Sequence, residues 1–198
     1  MTIHSTARSP SPMSADTPHL SVVQKEAHAT LSGVTRYFQK SDSKELFHAL
    51  GPIDLTLHKG EFFSVVGPSG CGKSTLLDTL SGLATPTDGV VLFEGREIKG
   101  VPDGVGVVFQ EDASFPWLNV RDNISFALRM AGMDGAEVQR RVDYAVAFMG
   151  LKDFARAYPA QLSGGMRQRV CIARTLVQQP RLIPVSYTHL TLPTSDLV

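Results

Sequence analysis

Only two cysteines occur in the 198 residues, Cys71 and Cys171. They are too far apart for metal-ligand spacing and too few for a disulfide framework, which suggests two reduced thiols in a cytosolic protein. Long hydrophobic runs are missing as well. No stretch approaches the roughly 18 consecutive apolar residues that cross a bilayer, and the N-terminus, MTIHSTARSPSPMSADTPHLS, lacks the apolar block of a secretory signal. Neither sign of charge dominates: 19 basic residues face 19 acidic ones, so no global field draws the chain to nucleic acid or anionic lipid, while a local anion site stays open. Large apolar residues are scarce at the start, where Ser, Thr and Pro accumulate, and residues 1–28 are expected to form a disordered leader.

What is present fits a soluble α/β protein. The apolar share is 42% and the charged share 19%, and the length allows one domain with a sizeable core plus appendages. ATLSGVTRYF and LFHALGPIDLTLHKG alternate as strands do, with the polar loop QKSDSKE between them. EFFSVVG is a compact apolar run ending in glycine, the profile of a buried strand. A glycine-rich turn and a helix follow, with Leu76, Leu77, Leu80 and Leu83 on one face. VVLFEG and GVGVVFQ read as further strands. From Glu111 to Leu162 the pattern is mainly helical: Asn119 can cap one helix, and Asp134 with Glu137 starts another. After Leu162 an amphipathic helix carries Met166, Val170, Ala173 and Val177 on one face, and Pro180 closes it. Strands, an inserted helical block and a return toward a strand imply an α/β core with a helical subdomain, and no linker divides the chain in two.

Gly67-Pro68-Ser69-Gly70-Cys71-Gly72-Lys73-Ser74, followed by Thr75, fits G-x-x-x-x-G-K-[ST] between an apolar strand and a helix. The glycines let the backbone wrap closely, so that N–H groups point inward at phosphate oxygens, and the helix adds its positive end. Lys73 supplies a mobile charge for β- and γ-phosphates, and the Ser74 hydroxyl is placed to ligate Mg²⁺. The competing reading is a structural glycine turn with a chance lysine. Cys71 is a filler position. The motif marks a site for a nucleoside triphosphate but does not say how its energy is used.

Leu162-Ser163-Gly164-Gly165-Met166 opens the helix after the polar stretch YPAQ. Alone, it is a capped and anion-receptive helix start. Paired with the upstream phosphate loop it resembles the ATP-binding subunits of ABC transporters, whose signature LSGGQ has LSGGM as an accepted variant. The resemblance covers Ala29 to about Ile183. It implies a P-loop NTPase fold, a mixed sheet with flanking helices and an inserted helical subdomain spanning about 111–163. Gln110 matches the glutamine that contacts Mg²⁺ and water. Phe38, four residues after Val34, matches the aromatic that stacks on adenine, with Tyr37 as the second candidate and core packing as the alternative for both. The resemblance further implies ATP and Mg²⁺ as ligands. Ser163 and Gly165 would clamp ATP held by a second ATPase subunit in a head-to-tail dimer. Transmembrane permease subunits are the direct partners, a periplasmic solute-binding protein an indirect one, and nucleic acid none. The location would be peripheral, on the cytoplasmic face of the bacterial inner membrane. Pro116-Trp117 within SFPWLNVRDNI looks like the importers of nitrate, sulfonates and taurine.

The same family follows its signature helix with an aliphatic strand ending in Asp-Glu, then a loop aspartate and a histidine. Here PRLI opens such a strand and PVSYTHLTLPTSDLV follows, in which neither Asp196 nor His189 has the matching context. Residues 184–198 resemble a translated transposase adapter of the kind used in sequencing libraries. The expectation is therefore a native sequence ending near Ile183, which codons at 185–194 incompatible with the adapter would refute. On that expectation the chain as written is a nucleotide-binding fragment without turnover, lacking its catalytic glutamate.

Overall fold

Alternating apolar residues in the two long N-terminal segments need a common face to bury, and they find it in a twisted antiparallel ribbon. A computed structural model describes residues 26–39, 44–109 and 113–186. Within them, β1 (Ala27–Gln39) pairs with β2 (Leu46–His58), setting Leu31 opposite Leu55 and Val34 opposite Ile53. The other edge of β1 takes β3 (Asp88–Phe93), with Leu31 opposite Val91, and β4 (Arg96–Glu97) completes the sheet order β2-β1-β3-β4. Helix α1 (Lys73–Ser81) lays Leu76 and Leu80 against this sheet, so that Leu31, Val34, Leu50, Val91 and Phe93 share one core with it. Of the four leucines expected on one face, Leu77 is half-buried and Leu83 exposed; Thr79 takes the buried third position instead.

A second core is helical. α2 (Val120–Met130), α3 (Gly135–Phe148) and α4 (Gly164–Leu176) bury Val120, Ile124, Leu128, Val142, Val146, Val170, Ala173 and Val177 together. The i, i+3, i+4 spacing of those residues dictates which faces meet. Each helix starts where its cap residue stands: Asn119 accepts from Asp122 N–H, and Asp134 accepts from the N–H groups of Ala136 and Glu137. Such caps contribute about 1 kcal/mol each.

The surface of α3 carries a charge cluster with a definite pH signature. Arg141 and then Arg140, both hydrogen-bonded to Glu137, hold its carboxyl below the usual range. A depressed folded pKa means stability that is complete above the ordinary carboxylate range and lost as pH falls through the folded value. Glu137→Gln is therefore expected to lower the melting temperature at neutral pH, with the difference shrinking as pH falls below the ordinary Glu pKa of about 4.3 and through the lowered folded value. A constant difference across pH, followed by circular dichroism, would contradict the assignment.

Three features depart from the sequence reading. β1 begins at Ala27, so the end of the expected leader is in the sheet: His28 is buried, packs edge-on against Phe93 and hydrogen-bonds the Arg181 carbonyl at 3.0 Å. EFFSVVG is not a buried strand. Residues 61–67 carry no strand pairing, and Phe62 and Val66 are 93% and 90% exposed. An apolar strand in a core needs neighbours on both edges, and among the described residues none pairs with it. Of GVGVVFQ, the described residues 104–109 are reduced to two parallel bridges, Val105 to Leu182 and Val108 to Val185.

Those bridges also carry the pairing past Ile183 and through Pro184. The Val108 N–H donates to the Pro184 carbonyl and the Ser186 N–H to the Val108 carbonyl, at 3.0 and 3.1 Å. Only the carbonyl of Pro184 faces the partner, so its missing N–H costs nothing at this edge. The expected tail thus contributes residues 184–186 to the pairing, while 187–198, with His189 and Asp196, lie outside the described residues, as do leader residues 1–25.

Candidate functional site

Gly72 fixes the geometry of the loop before α1. It is the N-cap of that helix at φ +92°, in the left-handed region, and a Cβ there would stand 2.5 Å from the Ala49 carbonyl oxygen of β2. Only glycine allows both the turn and the approach. Gly70 turns the chain with φ +79°. Gly67 lies so close to Cys71 that a Cβ would meet its Sγ at 2.8 Å. The filler position therefore has a packing role within the loop.

Lys73 is the first residue of α1, and its ammonium folds back over the loop. It donates to the carbonyls of Gly67 at 2.8 Å and Pro68 at 2.7 Å, with Cys71 Sγ at 3.7 Å. Pro68, Ser69, Gly70 and Ser74 are exposed, and Thr75 is half-buried. The first N–H groups of α1 have no intrahelical acceptor, as in every first turn. A loop with a mobile cation, a helix N-terminus and open backbone is equipped to take a polyphosphate. The exposed Ser74 hydroxyl offers a metal donor at the start of α1. That fits Mg²⁺, which keeps water and phosphate oxygens as its other ligands. Among the described residues no group of three or more His, Cys, Asp and Glu could hold a metal by itself.

The ribbon brings the two aromatic candidates beside this loop. Ala49, which walls Gly72, is two residues from Phe47, and Phe47 is paired with Phe38. The Phe38 ring is 42% exposed and lies under the Arg36 guanidinium, 4.9 Å away. Tyr37 stacks on His48 at 4.8 Å instead. Gln110 lies outside the described residues.

Ser163 caps α4, its Oγ accepting from the Met166 N–H at 3.3 Å. Leu162 is buried in the helical core and its carbonyl accepts from Arg167 at 2.7 Å, while Ser163, Gly164 and Gly165 are exposed and Met166 is partly buried. The motif is thus a helix start anchored by its leucine and open at its glycines. It belongs to the helical core and the phosphate loop to the sheet core.

Sequence reading missed what holds Pro116-Trp117. Asn123, fully buried in α2, hydrogen-bonds four backbone groups of residues 115–119. Arg174 reaches from α4 to the Ala113 carbonyl at 2.7 Å and lies over the Phe115 ring. The NI pair within VRDNISF gave no local signal beyond helix.

Known proteins place this arrangement. The family model described as ABC transporter matches residues 50–184. A spermidine/putrescine import ATP-binding protein of Rubrobacter xylanophilus is 46% identical over 69% of this chain and 37% of its own length. A taurine import ATP-binding protein of Pelagibacter ubique is 44% identical over 73% of this chain and 54% of its own. The chain thus spans about half or less of the curated relatives it matches. Among solved structures, the dimeric post-hydrolysis state of the ATP-binding cassette MJ0796, bound to ADP and Pi, superposes with a TM-score of 0.71 at 33% identity, over 78% of this chain and 72% of that one.

Proposed function

The chain belongs to the ABC transporter family, and from that premise we propose that it is the ATP-binding part of an importer. The carrying observation is the loop of Gly67 to Ser74, with Gly72 locked against β2 and the Lys73 ammonium within reach of any phosphate seated at the start of α1. ATP binds with its phosphates along this loop and its base against Phe38, with Tyr37 as the competing platform. Ser74 and Gln110 take Mg²⁺, which neutralises phosphate charge. Ser163 and Gly165 face the nucleotide of a second copy, so that two ATPs close a head-to-tail dimer. This reading is supported by the exposure of those residues and by their place on a different core from the phosphate loop. Closure is passed to transmembrane permease subunits at the cytoplasmic face of the membrane, with a periplasmic solute-binding protein as the remoter partner. No helix of the described residues is long and apolar enough to cross a membrane.

The solute is read as a small anion of the nitrate, sulfonate or taurine class. Pro116-Trp117 and the similarity to a taurine import protein support this, and a polyamine-type solute is the competing outcome. A second reading concerns the 198 residues as they stand. The exposed apolar run 61–66 favours a form that binds nucleotide weakly and does not turn it over. Titration with a fluorescent ATP analogue and a phosphate-release assay on the 198-residue chain test both. The expected results are weak saturable binding, lost in Lys73→Ala, and no release of phosphate. Binding unchanged in Lys73→Ala would sink the nucleotide site, and hydrolysis dependent on Lys73 would sink the second reading.

A further inference from the structure

At the end of β1 a cation meets the aromatic ring on which a nucleotide base is proposed to stack. The Arg36 guanidinium lies over the Phe38 ring, 4.9 Å from its centre. It is tethered there. Its Nη1 donates to the Thr85 carbonyl, and its Nε is buried. The backbone beside it is pinned to the same segment. The Tyr37 N–H donates to Thr87 Oγ1 at 3.0 Å, and the Thr87 N–H to the Thr35 carbonyl at 2.8 Å. That segment leaves the end of α1, where Gly82 is the C-cap and the Ala84 N–H donates to the Asp78 carbonyl at 3.0 Å. Arg36 thus ties the ring to the chain that leaves the helix whose start faces phosphate.

The position across the ribbon adds a second tie. Arg36 is paired with Leu50, whose Cδ1 stands 3.4 Å from the Cβ position of Gly72 in the phosphate loop. A phenyl ring has two faces, and one face of Phe38 lies under a half-buried guanidinium. The exposure of the ring therefore belongs to its other face and its edge. An exposed phenylalanine without such a contact moves among rotamers. A cation held over one face attracts the π electrons and favours one orientation, so a base stacking on the opposite face has less ordering to offset.

We propose that Arg36 is a positioning residue for the nucleotide base: it touches neither base nor phosphate, and it backs Phe38 so that the outer face of the ring is set for stacking. The proposal rests on the reading of Phe38 as the base platform.

The test is an NMR titration of the ¹⁵N-labelled 198-residue chain, following the amides of Gly70 and Gly72. ATP is one titrant, and inorganic tripolyphosphate, which has the phosphates and no base, is the other. Arg36→Gln is expected to weaken ATP about threefold to tenfold and to leave tripolyphosphate unchanged. Arg36→Lys keeps a cation for the ring and should restore most of the loss. In a Phe38→Ala background, Arg36→Gln should have no further effect on ATP. Equal weakening of tripolyphosphate would overturn the proposal, because Arg36 would then act as a charge on phosphate. Tighter ATP binding in Arg36→Gln would overturn it too, since the guanidinium would then cover the stacking face. An equal loss in Arg36→Lys and Arg36→Gln would remove the role of the cation. Phe38→Ala separates this proposal from the reading beneath it. ATP affinity unchanged in Phe38→Ala removes the platform and the proposal together, whereas a loss there with none in Arg36→Gln removes the proposal alone. Tripolyphosphate affinity and far-ultraviolet circular dichroism show that the loop and the fold are intact in each variant.

Discussion

Gly72→Ala is expected to abolish nucleotide binding and to destabilise the sheet core in one step. The methyl group would stand 2.5 Å from the Ala49 carbonyl oxygen and 3.4 Å from Leu50 Cδ1. The first contact is with the backbone of β2, which is held in register by β1 and has no rotamer to yield. A left-handed φ of +92° adds its own strain for any residue with a Cβ. Together these cost roughly 2–4 kcal/mol, relieved only by moving α1 away from β2. Lys73 is the next residue, so the relief displaces the ammonium and the helix start that are meant to face phosphate. The measurement pairs denaturant unfolding with nucleotide titration. Gly70→Ala is the comparison: its φ is also left-handed at +79°, but nothing lies within 4 Å of its Cβ position. It should therefore carry only the backbone strain. Equal behaviour of the two variants would mean that contact with β2 does not set the loop.

That contrast also shows what could be read from the sequence and why. The phosphate loop, the caps Asn119, Asp134 and Ser163, and the apolar face Val170, Ala173, Val177 are legible because each depends on residues within one or two helical turns. The wall that Ala49 gives to Gly72 is not, because it joins residues 23 positions apart through a ribbon whose bulges no pattern reveals. Residues 61–67 show the opposite failure. Their composition says buried strand, but burial is a property of the neighbours, and the described residues supply no strand to pair with them. Arg121, Arg129 and Arg156 form no pattern in the sequence, yet all three line one groove on the helical core, where the Ala155 and Ala157 carbonyls accept from the first N–H groups of α2.

Replacing Asn123 is expected to give the largest loss of stability in the helical core. Its side chain is fully buried, and its Oδ1 accepts from the Phe115 N–H at 2.7 Å. Its Nδ2 donates to the carbonyls of Phe115 at 3.1 Å, Leu118 at 2.8 Å and Asn119 at 3.1 Å. One amide therefore satisfies a whole irregular segment, which carries Pro116-Trp117 and packs Phe115 against Phe126 and Arg174. Asn123→Ala leaves the Phe115 N–H and the Leu118 carbonyl without their partner, while the Phe115 and Asn119 carbonyls keep the N–H groups of Leu118 and Asn123, and with the cavity the cost should be about 3 kcal/mol. Asn123→Asp separates hydrogen bonding from mere volume. It keeps the size and an acceptor for Phe115, but at neutral pH it puts a buried carboxylate oxygen against the Phe115, Leu118 and Asn119 carbonyls. It should thus be worse than alanine at pH 7, and should recover toward it as acid protonates the carboxyl and restores one donor. Denaturant unfolding at the two pH values gives the order, and hydrogen exchange at residues 115–118 shows whether the segment opens first. If alanine costs less than about 0.5 kcal/mol, the usual range for an inconsequential surface change, then Asn123 does not hold this loop.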